Sequence, residues 1–211
     1  LPDLAQLDDA FYPLLGYHIG TLTRSRIPLV LGLQRHAPSL DDLKAFGAAF
    51  ATTSAAPLFH IAGVTPEAID PTQVLQPGVE IEVHTISLAD LFGSWRELNS
   101  AREPKVDVVS LGNPHFSLSE FAQLARLCSG RRIHPRVVLA ITCGRAVLEQ
   151  ARQAGYIAPI EAFGATLVTD TCWCMLGEPV IPPAATTLMT NSGKYAHYAP
   201  GLVGRKVHFA S

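Results

Sequence analysis

Hydrophobic and polar residues alternate along this chain at intervals that predict a regular succession of helices and strands. From Asp8 to Thr23 the apolar positions recur at helical spacing, and the apolar run 27–33 predicts a short buried strand. The capping-box pattern Ser39-Leu-Asp-Asp42 opens a second helix, which is expected to end near Ser54. Residues 58–62 then predict another strand.

The same kind of pattern continues through the middle of the chain. Val79 to Thr85 alternates apolar and polar positions, which predicts a strand with one face in solvent. A second capping box, Ser87-Leu-Ala-Asp90, starts a helix through Leu98. The polar stretch Asn99–Lys105 that follows is the predicted linker.

Strands and helices alternate in most of the chain beyond this linker. Four segments predict strands and two predict helices, namely strands 106–111, 136–142, 166–169 and 185–190 and helices 117–128 and 145–155. Alternation of this kind predicts an α/β fold with parallel sheets covered by helices. We expect two α/β lobes, residues 1–100, which would complete an upstream domain, and residues 101–211.

Composition and charge exclude several classes of function. A net charge of −2 gives no electrostatic basis for binding nucleic acid or an anionic membrane. No apolar run approaches the roughly 20 residues of a membrane span, no signal peptide is visible, and the four cysteines lack zinc-finger spacing. We therefore expect a protein of the reducing cytoplasm. The chain opens on Leu1 rather than Met, which suggests a fragment with residues missing upstream.

The densest collection of reactive side chains is Asn191-Ser-Gly-Lys-Tyr-Ala-His-Tyr-Ala-Pro200. It follows the predicted strand 185–190, so we expect a loop at the end of a buried strand, where α/β proteins bind ligands. Lys194 or Tyr195 in such a loop could act as an acid, a base or an anion clamp, with Ser192 and His197 beside them. The alternative is a surface turn with an amphipathic Tyr/His face.

Two further motifs follow predicted strands. Ser110–Glu120 contains a glycine turn and the capping box Ser117-x-x-Glu120, so Asn113 and His115 could reach a ligand at a helix N-terminus, or could only shape the turn. Thr169-Asp-Thr-Cys-Trp-Cys174 places Cys172 where a thiolate could bind iron or zinc or act as a nucleophile, or could pack as a small hydrophobe. Cys174 would share its face in an extended segment. One segment cannot complete a metal site, so further ligands would have to come from elsewhere.

The motifs in this order closely resemble the aconitase X family. They are Phe59-His-Ile-Ala-Gly-Val-Thr-Pro-Glu-Ala68, Leu111-Gly-Asn-Pro-His-x-Ser-Leu-x-Glu120, Thr169-Asp-Thr-Cys-Trp173 and Met189-Thr-Asn-Ser-Gly-Lys-Tyr-Ala-His-Tyr-Ala-Pro200. The matched part resembles the C-terminal half of the family's large subunit. The resemblance implies an aconitase-like fold. It also implies two partners, the N-terminal half of the large subunit and a small swivelling subunit or domain.

The resemblance further implies a hydro-lyase that holds an iron–sulfur cluster or an iron ion and removes water from a hydroxylated carboxylic acid. Cys172 matches the family's metal-ligating motif. The implied catalytic residues are Ser192, Lys194, Tyr195 and His197, and the implied substrate-binding residues are Asn113, His115, Ser117 and Asn191. At Asn113 many family members carry Cys. The departure favours a [2Fe–2S] cluster or a single iron over a cubane, and it favours the family's bacterial hydroxyproline branch.

The expected reaction is dehydration of cis-3-hydroxy-L-proline to pyrroline-2-carboxylate. Iron would polarise the departing hydroxyl, and Lys194 or the N–H groups before Ser117 would hold the carboxylate. Ser192 or Tyr195 could carry the proton if Lys194 lowers its pKa. Two alternatives stay open. One is a mevalonate 5-phosphate dehydratase, for which three arginines, Arg24, Arg26 and Arg35, are available to phosphate, and the other is a non-catalytic lobe of a composite enzyme.

Overall fold

A computed structural model describes residues 8–210 of the chain. The chain divides into two compact units, one ending at Trp95 and the other beginning at Arg96. The boundary predicted from the sequence, between residues 100 and 101, lies a few residues further along. No helix within residues 8–210 combines the length and the hydropathy needed to cross a membrane.

The first unit contains paired helices and very short strands. Its elements are helix α1 (Phe11–Thr23), strand β1 (Leu29–Val30), helix α2 (Leu40–Thr53), strand β2 (His60–Ile61) and helix α3 (Leu88–Leu98), whose last residues belong to the second unit. β1 and β2 pair in parallel. Short 3₁₀ turns occur at Gln34–His36, Pro66–Ala68 and Pro71–Val74. The helices predicted from residues 8, 39 and 87 are confirmed, and the predicted strands 27–33 and 58–62 are reduced to two residues each.

Helices α1 and α2 approach until their backbones touch. Gly16 and Gly20 lie one turn apart on α1, and a Cβ atom on either would overlap atoms of α2, the Phe46 carbonyl oxygen in the case of Gly16. Thr53 Oγ1 donates a hydrogen bond across the contact to the Tyr17 carbonyl oxygen at 2.8 Å. Small residues at this spacing allow the close approach, and the buried side chains around it form the core of the unit.

The strand predicted for Val79–Thr85 does not form. These residues have no regular secondary structure, and Val79, Ile81 and Val83 are 56, 56 and 81% exposed. Glu82 forms an ion pair with Arg26, and its carboxylate also lies 2.8 Å from His84 Nε2. An alternating pattern makes a strand only when a neighbouring strand accepts its hydrogen bonds, and no strand pairs with this segment within residues 8–210.

The second unit is a five-stranded parallel sheet with helices. Its strands are β3 (Val108–Phe116), β4 (Val138–Cys143), β5 (Ala165–Thr169), β6 (Thr187–Thr190) and β7 (Lys206–Phe209). The spatial order is β5-β4-β3-β6-β7, and every neighbouring pair is parallel. The helices are α4 (Leu118–Cys128), α5 (Arg145–Gln153), α6 (Ile157–Phe163) and α7 (Gly193–Val203). The predicted α/β class with a parallel sheet is therefore confirmed, and α6, α7 and β7 are elements that the pattern did not predict.

Helices α4, α5 and α6 cover one face of β3, β4 and β5 with a hydrophobic core. Phe121 and Ile160 are fully buried in it. Cys128 and Cys143 belong to the same core, and burial raises the pKa of each thiol. These two cysteines therefore pack as small hydrophobic residues.

The predicted linker is bonded to the outer strand of the sheet. The Ala101 N–H donates to the Val207 carbonyl oxygen at 2.8 Å, and the Val207 N–H donates to Ser100 Oγ at 2.9 Å. At the start of β3, Asp107 accepts hydrogen bonds from the backbone N–H groups of Thr186 and Thr187, at 2.8 and 3.2 Å. These bonds link the first residues of β3 and β6, at the amino end of the parallel sheet.

Candidate functional site

The carboxyl end of the central strand β3 is irregular. Its register with β4 breaks between Leu111 and Phe116. Gly112 has φ +91°, and a Cβ atom there would overlap the Thr142 carbonyl oxygen, so only glycine fits. Thr142 Oγ1 donates a hydrogen bond to the Gly112 carbonyl oxygen. This bend carries Asn113 into the interior, where it is 4% exposed.

Two cysteines from another segment meet Asn113. Cys172 precedes the 3₁₀ turn Trp173–Met175, which follows β5. The Cys172 Sγ donates a hydrogen bond to Asn113 Oδ1, and Asn113 Nδ2 donates one to Cys174 Sγ. The donor–acceptor distance is 3.6 Å in both. A buried amide therefore lies between two thiols that come from 59 and 61 residues further along the chain.

The turn that carries these thiols is anchored on both sides. Trp173 is fully buried, and its indole Nε1–H donates to the Leu111 carbonyl oxygen at 2.8 Å. His115 is exposed, and its Nε2–H donates to the Thr171 carbonyl oxygen at 2.7 Å. Since a carbonyl oxygen only accepts, His115 carries a proton on Nε2. His115 thus positions the cysteine turn through its backbone.

Asp170 stabilises the start of this turn. Its backbone has a φ of +57°, and its carboxylate accepts hydrogen bonds from the backbone N–H and the Nε–H of Arg145. These bonds from Arg145 lower the pKa of Asp170. Helix α5 begins at Arg145 after Gly144, which has no side chain to cap it, and Asp170 performs that role from the end of β5.

The segment 191–200 was predicted as a loop, and the structure shows that this prediction is wrong. Ser192 caps helix α7, since its Oγ accepts a hydrogen bond from the Tyr195 N–H at 3.0 Å. The reactive side chains therefore lie on the first turns of a helix that follows β6. The helix N-terminus adds a partial positive charge at the same edge of the sheet.

Tyr195 is completely buried beside the cysteine turn. Its ring centroid lies 5.3 Å from that of Trp173, and its hydroxyl has no hydrogen-bond partner within residues 8–210. Burial, followed by the charges of Cys174 and Cys172, raises the pKa of Tyr195 far above its ordinary value. A lowered pKa was the condition for Tyr195 to carry the proton as a base, and the shift has the opposite direction.

Lys194 lies half-buried next to this group. Burial and the neighbouring Cys172 raise the pKa of the Cys174 thiol, and the positive charge of Lys194 opposes that rise. Asn191 is half-buried immediately after β6. His197 is exposed on the other side of α7 from Tyr195, with its ring centroid 4.9 Å from that of Tyr198.

Ser117 has a structural task at the start of α4. Its Oγ accepts a hydrogen bond from the Glu120 N–H at 3.2 Å, and its own N–H donates to Glu120 Oε2 at 2.7 Å. The predicted capping box is therefore present. The fold thus brings Asn113, Cys172 and Cys174 into contact, with Tyr195 and Lys194 adjacent, whereas His115 and Ser117 are engaged in supporting the local backbone.

Sequence reasoning underestimated three residues of this site. Cys174 was considered only as a companion of Cys172, yet it meets the same Asn113 amide. Trp173 and Asp170 were not assigned a role, although both hold the cysteine turn in place. The alternation of two cysteines about a tryptophan was the available signal for Cys174. No local sequence pattern indicates the hydrogen-bond partners of Trp173 and Asp170, because these partners lie 62 and 25 residues away in the chain.

The donor set is suitable for iron but incomplete. Thiolates are ligands that iron and iron–sulfur clusters prefer, and Cys172 and Cys174 present two sulfurs at one point. Residues 8–210 contain no group of three or more His, Cys, Asp or Glu side chains placed to hold a metal ion. The chemistry of the two thiols suits iron, and an iron centre at this point would need further ligands.

The second unit therefore has the architecture of a parallel α/β protein with a pair of thiols at the carboxyl edge of its sheet. Family models for the aconitase X second domain and the aconitase X third domain match residues 2–96 and 106–211. The chain belongs to the aconitase X family.

Individual relatives extend this assignment. The chain is 58% identical to a cis-3-hydroxy-L-proline dehydratase of Pseudomonas aeruginosa, over 99% of the chain and 36% of that protein. It is 34% identical to a phosphomevalonate dehydratase large subunit of Methanothermobacter thermautotrophicus, over 94% of the chain and 47% of that protein. A crystal structure of Thermococcus kodakaraensis aconitase X in its holo form superposes with a TM-score of 0.77 at 28% identity, covering 95% of the chain and 50% of that one. The chain thus spans between about a third and a half of the length of these relatives.

Proposed function

We propose that the protein carrying this chain is a hydro-lyase that dehydrates cis-3-hydroxy-L-proline to pyrroline-2-carboxylate. The observation that carries the proposal is the buried Asn113 amide between the Cys172 and Cys174 thiols. The 58% identity to a dehydratase of that name supports the choice of substrate. Many members of the family carry a cysteine at the position of Asn113. An amide there in place of a further thiolate favours a smaller iron–sulfur cluster.

The cofactor that we propose is an iron–sulfur cluster, with [2Fe–2S] favoured, or a single iron ion. Cys172 would hold it, with Cys174 as the second thiolate, and ligands from elsewhere would complete the coordination. When bound, the iron supplies a Lewis acid for the departing hydroxyl. Asn113, which is buried and already directed at both sulfurs, would orient the thiolates and meet the substrate beside them.

The chain's own residues would manage the charge that develops on the substrate. The proton on C2 leaves to a base and the hydroxyl leaves C3, so negative charge grows at the substrate carboxylate before the double bond forms. Lys194 and the N-terminus of α7, capped by Ser192, offer positive charge to that carboxylate. The resulting enamine becomes the cyclic imine when C3 gains a proton and the ring nitrogen loses one. The proton from C2 and the hydroxyl from C3 leave together as water.

The remaining predicted residues take supporting places in this proposal. Asn191 precedes the α7 cap and would contact the substrate. His197 lies on the other side of α7 from Tyr195 and has no direct role in this proposal. His115 would act through the cysteine turn, because its ring is bonded to the Thr171 carbonyl oxygen. We assign no general base within this chain. The N-terminal half of the large subunit and a small swivelling subunit or domain would supply the rest of the site, in the cytoplasm.

The test uses the whole protein, purified anaerobically and reconstituted with iron and sulfide. Dehydration of cis-3-hydroxy-L-proline is measured together with bound iron for the wild type and for Cys172→Ser. We expect the variant to lose iron and activity together, while Cys128→Ala, a matched change in a cysteine of the α4 core, keeps both. If Cys172→Ser retained iron, Cys172 would not be a metal ligand. If the wild type bound iron but did not turn over cis-3-hydroxy-L-proline, the substrate assignment would be wrong.

Mevalonate 5-phosphate is the second candidate substrate, supported by the 34% identity to a phosphomevalonate dehydratase large subunit. Of the arginines considered for its phosphate, Arg26 is already paired with Glu82 at an exposed position. The same reconstituted protein is offered both substrates in parallel. Turnover of mevalonate 5-phosphate alone would replace the hydroxyproline assignment, and turnover of neither with iron bound would favour a non-catalytic lobe.

A further inference from the structure

The Tyr195 hydroxyl is a buried polar group that the reaction just proposed does not use. The residue is 0% exposed, and its hydroxyl has no hydrogen-bond partner within residues 8–210. Almost all buried polar atoms in proteins are paired, because an unpaired one keeps the full cost of leaving water. A hydroxyl in this condition is best explained by a partner that arrives with a bound group.

The surroundings of Tyr195 indicate what that partner is. Its ring packs on Trp173, the residue between Cys172 and Cys174. Both sulfurs lie 3.6 Å from atoms of the Asn113 amide, and the tryptophan between the two cysteines contacts the Tyr195 ring. The charges of Cys174 and Cys172 are near enough to the hydroxyl to add to the rise in its pKa. A phenol that stays protonated is a donor at every physiological pH.

We infer that Tyr195 is a positioning residue of the metal centre, whose hydroxyl donates a hydrogen bond to a metal-bound thiolate of the Cys172 and Cys174 pair. The inference rests on the proposed function, since it needs iron at these cysteines. In this structure the Cys172 thiol donates to Asn113 Oδ1. Metal binding removes that proton and leaves a thiolate, which is a far better acceptor for the tyrosine hydroxyl.

This arrangement predicts effects of opposite sign for a single substitution. Tyr195→Phe removes a hydroxyl that has no hydrogen-bond partner within residues 8–210, so the protein without metal should unfold at the same or a higher temperature. The same substitution removes a hydrogen bond that exists only when iron is bound, so iron should be held less tightly. A residue with a purely structural role would lower the stability of both forms.

The experiment compares wild type, Tyr195→Phe and Tyr198→Phe in the whole protein. Tyr198 lies on the same helix, is 38% exposed, and serves as the matched control. Thermal unfolding is recorded without metal, and iron affinity is measured by chelator competition together with the thiolate-to-iron charge-transfer absorption. For Tyr195→Phe we expect an unfolding temperature no lower than wild type, an iron affinity about 10- to 100-fold weaker, and an absorption band at lower energy. Tyr198→Phe should match wild type in all three.

The outcomes separate this inference from the proposed function. Wild type that binds iron, with loss of that iron in Cys172→Ser, supports the function whatever Tyr195 does. Iron affinity in Tyr195→Phe within about twofold of wild type overturns the inference and leaves the function standing. A lower unfolding temperature without metal also overturns it, because the hydroxyl then has a permanent partner. Absence of iron from the wild type overturns both.

Discussion

Each of the two units of this chain is stabilised by its own kind of internal contact. In the first unit, α1 and α2 meet backbone to backbone at Gly16 and Gly20, and the parallel strands beside them are two residues long. In the second unit, five parallel strands share their hydrogen bonds, and the helices pack on the sheet. The cysteine site lies in the second unit, because only an extended parallel sheet gathers several strand ends at one edge.

A segment with the composition of a strand forms one only where a neighbouring strand shares its backbone hydrogen bonds. Val79–Thr85 and β3 both have the composition of strands, yet only β3 lies between two other strands. Val108 in β3 is fully buried, whereas Val83 is 81% exposed. The next four changes are expected to sharpen or break this contrast, and their effects are measured as changes in the free energy of unfolding of the whole protein.

The largest effect is expected from Gly112→Ala in the second unit. Alanine at φ +91° is strained, and its Cβ atom would overlap the Thr142 carbonyl oxygen, so we expect a loss of about 2–6 kcal/mol. Denaturant unfolding measures it. Gly201→Ala in α7, where a Cβ atom meets nothing within 4 Å, is the control and should gain about 0.5–1 kcal/mol. Equal stability of the two variants would show that the bend in β3 tolerates a side chain.

The corresponding change in the first unit is Gly16→Ala. Its Cβ atom would overlap the Phe46 carbonyl oxygen, and separating α1 from α2 should cost about 1–3 kcal/mol. Thermal and denaturant unfolding give the value. The control is Gly93→Ala in α3, which has open space around its Cβ position. A stabilising Gly16→Ala would mean that the helices separate without cost and that their backbone contact does not hold the unit.

A smaller, pH-dependent effect is expected from Asp107→Asn. Burial opposes ionisation of Asp107, but hydrogen bonds from Thr186, Lys105 and Thr187 outweigh it and lower the pKa. A folded-state pKa below the unfolded value of about 4 stabilises the protein above pH 4, and this stabilisation is lost as the pH falls through the folded-state pKa. We expect a cost of about 1–2 kcal/mol at pH 7 that shrinks below about pH 4.

Unfolding of wild type and Asp107→Asn at a series of pH values from 7 to 3 tests this dependence. The control is Glu178→Gln, which removes the ion pair between the exposed Glu178 carboxylate and the half-buried Arg205 at 3.7 Å and should change stability by less than about 0.5 kcal/mol. A difference between wild type and Asp107→Asn that grows as the pH falls would contradict the sign of the Asp107 shift.

The smallest effect is expected from Val83→Thr in the exposed segment of the first unit. Because Val83 is 81% exposed, its change should stay within about 0.5 kcal/mol. Val108→Thr, the matched change in buried β3, should cost about 1–3 kcal/mol for burying a hydroxyl. Comparable losses for both would show that residues 79–85 are packed against something in the whole protein.

Local signals were sufficient for most of the helices and for the sheet class. The capping boxes at Ser39, Ser87 and Ser117 mark true helix starts, because the residues that satisfy the free N–H groups are neighbours in sequence. Helix α7 was not predicted, because its many polar side chains are typical of a ligand-binding loop. Its first signal, the cap at Ser192, is one of those polar residues. The strand β7 escaped because its four residues are stabilised by β6, which is a distant contact.

Residue type, order and spacing along the chain were sufficient to predict the α/β class, the family and the short list of reactive residues. Which of those residues come into contact depends on the tertiary structure. It placed Asn113 between Cys172 and Cys174, and it buried Tyr195 against Trp173. The physical reason is that these contacts join strand ends far apart in the chain. Their geometry is set by sheet order and by the bend at Gly112, which no local pattern specifies.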